Sequence, residues 1–208
     1  MTEIRRAIVE PGRSELVIER SRFLGYALGA SAPEDAQAAL AAVRREHPDA
    51  THHCYAWRCG PGQERQSDDG EPQATAGLPL LESLRRHFVD YGLLVVVRYY
   101  GGRKLGRSGL YRAYLSAGAE ALQAACVARL VPGVHYGVEV AHQERLNLVK
   151  ALEAVDGEVL SLTYGAKVHV EFWLPKTSDL SELVQRCDAA GRADRIGCLV
   201  RSRSAADQ

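Results

Sequence analysis

Alternating apolar and polar positions predict two strands and a helix at the start of the chain. Residues 14–19 alternate with the period of two expected for a strand, and residues 21–28 carry the aromatic content of a second strand. Ser31 then precedes a proline and two acidic residues, which are residue types that begin a helix. Apolar residues continue at helical spacing to about residue 47, where Pro48 ends the pattern.

The central part of the chain predicts strands, loops and helices in turn. We expect strands at 52–59 and 93–99, loops at 60–72 and 101–109, and helices at 75–88 and 110–130. The first of these helices contains a proline near its start, so its true beginning is expected near Gly77. The run at 93–99 is almost continuously apolar, which indicates a central strand covered on both faces.

The segment Val131–Gly133 interrupts this pattern and suggests a domain boundary, which divides the chain into domains 1–131 and 132–208. We expect the second domain to contain strands at 134–141, 157–164, 167–174 and 196–201, and helices at 143–155 and 177–190. The order βαββαβ is that of a ferredoxin-like fold, with helices on one face of an antiparallel sheet. The predicted fold class is therefore α+β.

Composition and charge narrow the possible functions. The 208 residues are 46% hydrophobic and 25% charged, which is typical of a globular protein. No apolar run approaches the ~20 residues that span a bilayer, and the N-terminus lacks a secretory pattern, so we expect a cytoplasmic protein without membrane contact. The 26 basic and 26 acidic residues cancel, which argues against a generally cationic nucleic-acid binder. Any nucleic-acid binding must therefore use a local basic patch.

The cysteines do not predict a disulfide framework or a metal site. There are five, widely spaced: Cys54, Cys59, Cys126, Cys187 and Cys198. His52 and His53 beside Cys54 raise the possibility of a metal site, but the segment HHCYAWRC alternates as a strand does. We therefore favour Cys54 as a small core residue, and expect neither metal nor cofactor.

A glycine-rich basic segment predicts an anion site. Its candidate ligands are Arg98, Gly101, Gly102, Arg103, Lys104, Gly106, Arg107 and Ser108. Glycines leave backbone N–H groups accessible, and the following helix adds free N–H groups and the positive end of its dipole, so phosphate is the expected ligand. The spacing fits neither GxxxxGK[ST] nor GxGxxG, which argues against a nucleotide triphosphatase. The alternative is a tight turn whose basic residues serve solubility.

An acidic loop precedes the helix at 75–88. Its candidate residues are Ser67, Asp68, Asp69, Glu71 and Thr75. The three acids suggest either a Mg²⁺ site or a general acid and base. We favour a turn, a stabilised helix start, or ion pairs with Arg98, Arg103 or Lys104. No nucleophile is paired with a base in the sequence, so we predict no catalytic residue.

These segments also carry a family resemblance. The runs SDDGEPQATAGLPLLESL and LLVVVRYYGGRKLGRSGLYRAY resemble the YigZ/IMPACT family over about residues 15–125, and SRF at 21 and HHCYAW at 52 also fit its pattern. The resemblance implies a first domain with a two-layer βαβ fold like domain IV of elongation factor G, and a ferredoxin-like second domain. It implies a role in translation, because the eukaryotic branch opposes activation of a kinase that targets initiation.

The chain departs from the family pattern at three places. Gln73-Ala74 stands where Ser-Gly is common, Tyr100 where Phe is common, and Ser108 where Gly is usual. The first change replaces a flexible glycine beside the start of the helix at 75–88, so it would alter how the backbone there holds a ligand.

Three functions remain open from the sequence. The first is a translation-associated regulatory protein that binds RNA, the ribosome or a translation factor through the glycine-rich basic segment, in the groove between the two loops. The second is an enzyme or binding protein for a small phosphorylated or nucleotide ligand, with Mg²⁺ on the acidic loop. The third is a protein–protein interaction module.

Overall fold

The computed structural model describes residues 5–178, Leu180, Leu183 and the backbone of residues 194–203. It shows a mixed α+β protein, in agreement with the predicted class. Contacts divide the chain into two compact units, the first running to Leu130 with Ser202 and Arg203 added, and the second from Val131 to Arg201. No helix in the described part of the chain is both long enough and apolar enough to cross a membrane.

The first unit contains six complete strands and three helices among its described residues. The strands are β1 (Arg5–Glu10), β2 (Gly12–Ile18), β3 (Ser21–Leu28), β4 (His52–Cys59), β5 (Glu64–Ser67) and β6 (Val89–Tyr99). The helices are α1 (Pro33–Glu46), α2 (Gly77–Arg86) and α3 (Gly106–Gln123). Strand β7 (Cys126–Val140) follows, and the second unit continues with α4 (Arg145–Ala154), β8 (Glu158–Tyr164), β9 (Val168–Pro175) and β10 (Asp194–Arg203).

Strand β6 organises the sheet of the first unit. It pairs antiparallel with β3 along one edge and with β4 along the other. Beyond these, β2 pairs with β3 and β5 pairs with β4, both antiparallel. Strand β1 runs parallel to the start of β6 and antiparallel to the start of β7. The continuously apolar segment is thus the central strand, as predicted.

Helices cover both faces of this sheet. Leu94 and Val96 of β6 pack in a core with Leu80 of α2 and with α3. Val95 points to the opposite face, where it packs in a second core with Leu40 of α1. The predicted two-layer arrangement is wrong for this unit, because α1 covers the second sheet face and makes three layers.

Two element boundaries in the first unit also differ from the sequence prediction. The expected loop at 60–72 contains β5, a short polar strand whose backbone pairs with β4. The expected helix at 110–130 begins earlier, at Gly106, and ends at Gln123. The residues that follow belong to β7, which continues through Val131–Gly133 without a break in the strand.

Helix α1 is also capped by a different side chain than the sequence predicted. The N-cap is Ala32, and Ser31 does not cap the helix with its own oxygen. Instead the Asp35 carboxylate accepts hydrogen bonds from the Ser31 hydroxyl and from the backbone N–H groups of Ser31 and Ala32. The first turn of α1 is therefore held by a carboxylate that reaches back, as in a capping box.

The second unit is built around β9. Strands β7 and β8 pair antiparallel with its two edges, and β10 pairs with β7, which gives the order β10-β7-β9-β8. Leu148 and Leu152 of α4 pack in a core with Val170 and Phe172 of β9. The hairpin turn at Gly165 is as predicted, whereas the predicted helix at 177–190 lies almost entirely outside the described residues.

Candidate functional site

The two segments singled out in the sequence meet at one cleft. Its volume is about 350 Å³, and it is lined by Ala74, Thr75, Arg107, Ser108, Tyr111 and Arg112. The first two residues lie before α2, and the others lie on the first turns of α3. Of the candidate residues from both segments, Thr75, Arg107 and Ser108 line this cleft directly. We call it the α2–α3 cleft.

The N-terminus of α3 carries a positive potential that can attract an anion. Its N-cap, Leu105, supplies no side-chain cap, and its first turn contains no acidic residue. Gly106 begins the helix with φ of +70°, a conformation that favours glycine. Because the first N–H groups of a helix lack partners within the helix, this end carries a partial positive charge.

Two arginines add full charges to the cleft. Arg107 donates a hydrogen bond from Nη2 to the Gln73 carbonyl oxygen at 2.8 Å, which ties α3 to the loop before α2. Arg112 is exposed on the next turn, and the sequence analysis did not single it out. Their spacing of five residues is not that of neighbours on one helix face, so the sequence carries no signal that both line the cleft. The described lining residues include no carboxylate.

Tyr111 lines another part of the cleft. Its hydroxyl donates to the Glu82 carboxylate of α2 at 2.5 Å. This hydrogen bond raises the pKa of the Tyr111 phenol, so the group stays protonated and can act as a neutral donor or acceptor.

Arg98 does not belong to the exposed anion-binding set that the sequence suggested. It is 4% exposed, and its Nη1 donates to Glu71 Oε1 at 2.6 Å. The same oxygen accepts a hydrogen bond from the Tyr114 hydroxyl at 2.8 Å. Burial and the ion pair with Glu71 keep the Arg98 guanidinium away from solvent, so it is not available to contact an anion at the surface.

Ser21 joins this buried pair to the glycine segment, residues 101–109. Its Oγ accepts hydrogen bonds from Arg98 Nη2 at 3.3 Å and from the Gly101 backbone N–H at 3.1 Å. A Cβ on Gly101 would lie 2.1 Å from the Arg20 carbonyl carbon, so only glycine fits against the β2–β3 turn. Ser21 appeared in the sequence only as part of a family pattern, and its 80-residue separation from Gly101 hid this contact.

The remaining basic residues of the glycine segment face solvent. Arg103 pairs with Glu19 at 2.7 Å, with both side chains more than half exposed. Lys104 is exposed and forms no hydrogen bond or ion pair with the residues the structure describes. Gly102 has φ of +84° and open space around its Cα. These residues thus form an accessible, net basic surface beside the cleft-forming helix.

Asp68 caps α2. Its Oδ1 accepts from the N–H groups of Ala76 and Gly77, and its Oδ2 accepts from that of Ala74, each at 2.9 Å. The carboxylate therefore neutralises the positive end of α2 and has its oxygens committed to backbone donors. This geometry matches the helix-start role considered for the acidic loop.

The other acidic-loop residues are also engaged in local contacts. Asp69 Oδ2 accepts from the His53 N–H at 2.7 Å, and Oδ1 accepts from Arg44. Ser67 Oγ accepts from the Asp69 N–H, and Thr75 Oγ1 donates to the Pro72 carbonyl. Within the described residues, no group of three or more His, Cys, Asp or Glu side chains has a metal-binding arrangement. The geometry gives no support to a Mg²⁺ site on this loop.

The buried thiols near the acidic loop have raised pKa values, which makes them poor nucleophiles. Cys54 donates from Sγ to the Asp68 carbonyl oxygen, and burial raises its pKa far above the ordinary value. Burial likewise raises the pKa of Cys59 to about 11. Both thiols remain protonated at neutral pH, whereas nucleophiles and metal ligands need the thiolate.

Known proteins resemble both units of the chain. A family model described as the Impact N-terminal domain matches residues 19–122, which include the acidic loop and the glycine segment. The chain is 38% identical over 162 residues to IMPACT family member YigZ of Escherichia coli, covering 76% of this chain and 79% of that protein. It is 47% identical over 128 residues to a Thermus thermophilus protein named IMPACT family member in pol 5'region, covering 62% and 69%.

A solved structure supports the same relationship. A crystal structure described as that of a hypothetical protein matches with a TM-score of 0.64 and 32% sequence identity, over 95% of this chain and 98% of that one. With a family model over half of the chain and a curated relative covered for more than two thirds of its length, the chain belongs to the IMPACT family.

Proposed function

We propose that this protein binds ribosomal RNA through the α2–α3 cleft and the adjoining glycine segment. The observation that carries the proposal is the cleft, where Arg107 and Arg112 lie beside an uncapped helix N-terminus and where the described lining residues include no carboxylate. Arginine side chains and helix N-termini are the groups that contact phosphate oxygens in nucleic-acid complexes. Lys104 and Arg103 extend the basic surface along the preceding loop.

Ribosomal RNA is proposed as the target because the family resemblance implies a role in translation, and for the same reason we propose a cytoplasmic location. A net charge of zero fits this model, since the binding charge is confined to one patch while the rest of the chain is balanced. We further propose that residues 132–208 form a ferredoxin-like domain, supported by the strand order β10-β7-β9-β8.

Co-sedimentation with ribosomes across a salt series tests the proposal. The double variant Arg107→Ala/Arg112→Ala removes the two cleft charges, and Arg45→Ala/Arg129→Ala removes two exposed charges elsewhere. Wild-type binding should weaken steeply between about 50 and 200 mM salt. The cleft variant should bind more weakly and show a salt slope smaller by about two units, because each lost phosphate contact flattens the slope by about one.

The control variant should bind as the wild type does. Equal binding by the cleft variant and the wild type, or no binding by the wild type at low salt, would contradict the proposal.

A small phosphorylated ligand is a second candidate, favoured by the size of the cleft. Its volume of about 350 Å³ is at the lower end of small-molecule sites, which range over about 300–1,000 Å³. Binding would not need Mg²⁺, because Asp68 and Glu71 are committed to protein donors. Calorimetric titration with a nucleoside monophosphate, with and without Mg²⁺, distinguishes this candidate: saturable binding of the free nucleotide together with salt-independent ribosome binding would favour it.

A further inference from the structure

Tyr100 is an exposed aromatic residue at the entrance to the glycine segment, outside the α2–α3 cleft. It is 46% exposed, although it directly follows the buried central strand β6. Its backbone is fixed, because the Tyr100 N–H donates to Thr51 Oγ1 at 3.0 Å and the Thr51 N–H donates to the Arg98 carbonyl oxygen. An exposed ring on an anchored backbone is not the arrangement of a residue that merely fills the core.

The buried Arg98 guanidinium packs against this ring. The Arg98 guanidinium lies 5.3 Å from the Tyr100 ring centroid, within the range of a cation–π contact. The position of the guanidinium is fixed, because Glu71 and Ser21 bind its two terminal nitrogens. It also lies 5.3 Å from the Phe23 ring centroid. The Tyr100 ring is thus supported by a fixed group on the protein side while much of its surface stays accessible.

Positive charges follow Tyr100 within a short length of chain. Arg103 and Lys104 are exposed three and four residues later, and Arg107 follows after three more. Seven residues span at most about 25 Å even when extended, so these charges lie within reach of a few successive nucleotides. An aromatic ring beside cations that track a backbone is the combination by which proteins bind single-stranded nucleic acid.

We propose that Tyr100 stacks on an unpaired base of the bound RNA, so that the site selects single-stranded over double-stranded RNA. This inference rests on the proposed function and specifies the class of RNA. Base pairs in a duplex are stacked on their neighbours and do not offer a free face, whereas bases in loops and single strands do. Arg103, Lys104 and the cleft arginines hold the phosphates, and Tyr100 supplies the preference for an unpaired base.

Fluorescence anisotropy with a labelled 12-nucleotide RNA of mixed sequence, alone or annealed to its complement, tests this proposal. Tyr100→Ala should weaken single-strand binding by about tenfold and leave duplex binding nearly unchanged, because one base–aromatic stack is lost. Tyr100→Phe should bind as the wild type does. Tyr100→Leu keeps apolar bulk without the ring, and should behave like the alanine variant. Tyr164→Ala, which removes a tyrosine 59% exposed in the second unit, is the matched control.

The outcomes separate this inference from the proposed function. If Tyr100→Ala binds the single strand as the wild type does, or loses single-strand and duplex binding equally, base stacking by Tyr100 is wrong. If Arg107→Ala/Arg112→Ala still weakens both probes, the proposed function stands without it. If the wild type binds neither RNA probe nor ribosomes, and a protein partner is retained after nuclease treatment, both proposals are wrong.

Discussion

Arg98 shows how one charged residue can organise a site without facing its ligand. Its guanidinium is buried between Glu71, Ser21 and two aromatic rings, and its Nε has no hydrogen-bond partner among the described residues. A buried charge costs several kcal/mol in lost hydration, and only a well-placed partner offsets that cost. The contacts of Arg98 fix the acidic loop, the β2–β3 turn and the glycine segment relative to one another.

Glu71→Ala should therefore lower the free energy of unfolding by about 3–5 kcal/mol, because it leaves the Arg98 charge buried without its carboxylate. The double variant Glu71→Leu/Arg98→Met removes both charges and should be less destabilised than Glu71→Ala. Urea unfolding followed by far-ultraviolet circular dichroism measures both. Glu15→Ala, which breaks an exposed pair with Arg22, serves as the control and should cost less than about 1 kcal/mol. A similar small cost for Glu71→Ala would refute this account of Arg98.

At the scale of elements, the ends of helices are where side chains decide the local structure. Helix α2 is capped by Asp68 from nine residues before Gly77, and α1 by Asp35 reaching back to Ser31 and Ala32. Helix α3, by contrast, has no side-chain cap. The three helices of the first unit thus differ in charge compensation, and within the described part of the chain the end of α3 is the one left available to an external anion.

Asp35 makes the start of α1 sensitive to pH. The Ser31 hydroxyl, followed by the Ser31 and Ala32 N–H groups, lowers the pKa of the Asp35 carboxyl below its ordinary value. Since the folded pKa is lower than the unfolded one, this stabilisation is fully present above the unfolded pKa and is lost as pH falls through the folded pKa. Ser31→Ala should raise the pKa of Asp35 toward its ordinary value, as measured by carbon NMR titration of the carboxyl group.

Ser116→Ala, which removes an exposed hydroxyl on α3, should leave the Asp35 midpoint unchanged and is the control. An unchanged midpoint in Ser31→Ala would show that the backbone donors alone set the pKa.

The elements that the sequence predicted well are those with a strong periodic or continuous apolar pattern. Strands β3 and β4 have the predicted bounds, and the buried centre of β6 was clear from its run of valines. Strand β5 was missed because its sequence ERQS contains no apolar residue and its pairing uses backbone groups alone. The end of α3 was misplaced because Ala-rich residues before Cys126 lead into the β7 sequence without a glycine or proline stop.

The candidate site was predictable only in part, for a different reason. Composition drew attention to both loops, and the structure brings them together at the cleft. Sequence could not show that Arg98 is buried or that Ser21 binds Gly101, because both facts depend on pairing between β3 and β6. Arg112 carries no local signal at all, because a spacing of five residues from Arg107 does not place the two on one helix face.

At the scale of the whole molecule, each compact unit has its own hydrophobic core and its own tryptophan. Trp57 is buried in the first unit with Leu40 and Val95, and Trp173 is buried in the second. The buried clusters of the first unit share no members with that of the second, which favours two units of folding, as the proposed domains 1–131 and 132–208 require. The two tryptophans can report on the units separately.

Leu152→Ala, in backgrounds carrying either Trp57→Phe or Trp173→Phe, tests this independence. Leu152 is fully buried in the core of the second unit, so its truncation should cost that unit about 2–5 kcal/mol. Urea unfolding followed by fluorescence should show an earlier transition for Trp173 and an unchanged one for Trp57. A matched change in the first core, Leu84→Ala, should reverse the pattern. Equal shifts of both transitions would mean that the chain unfolds as a single cooperative unit.

The hydrogen bond between Ser21 and Gly101 has a consequence for the order of events in folding. Its two partners are separated by 80 residues, and contacts of such long range form slowly because a large loop must close first. During synthesis, β3 leaves the ribosome long before the glycine segment is made, so Ser21 is present well before Gly101 can donate its hydrogen bond to it. The proposed RNA-binding surface would therefore form only after β6 has paired with β3, and a nascent chain would lack it until most of the first unit had emerged.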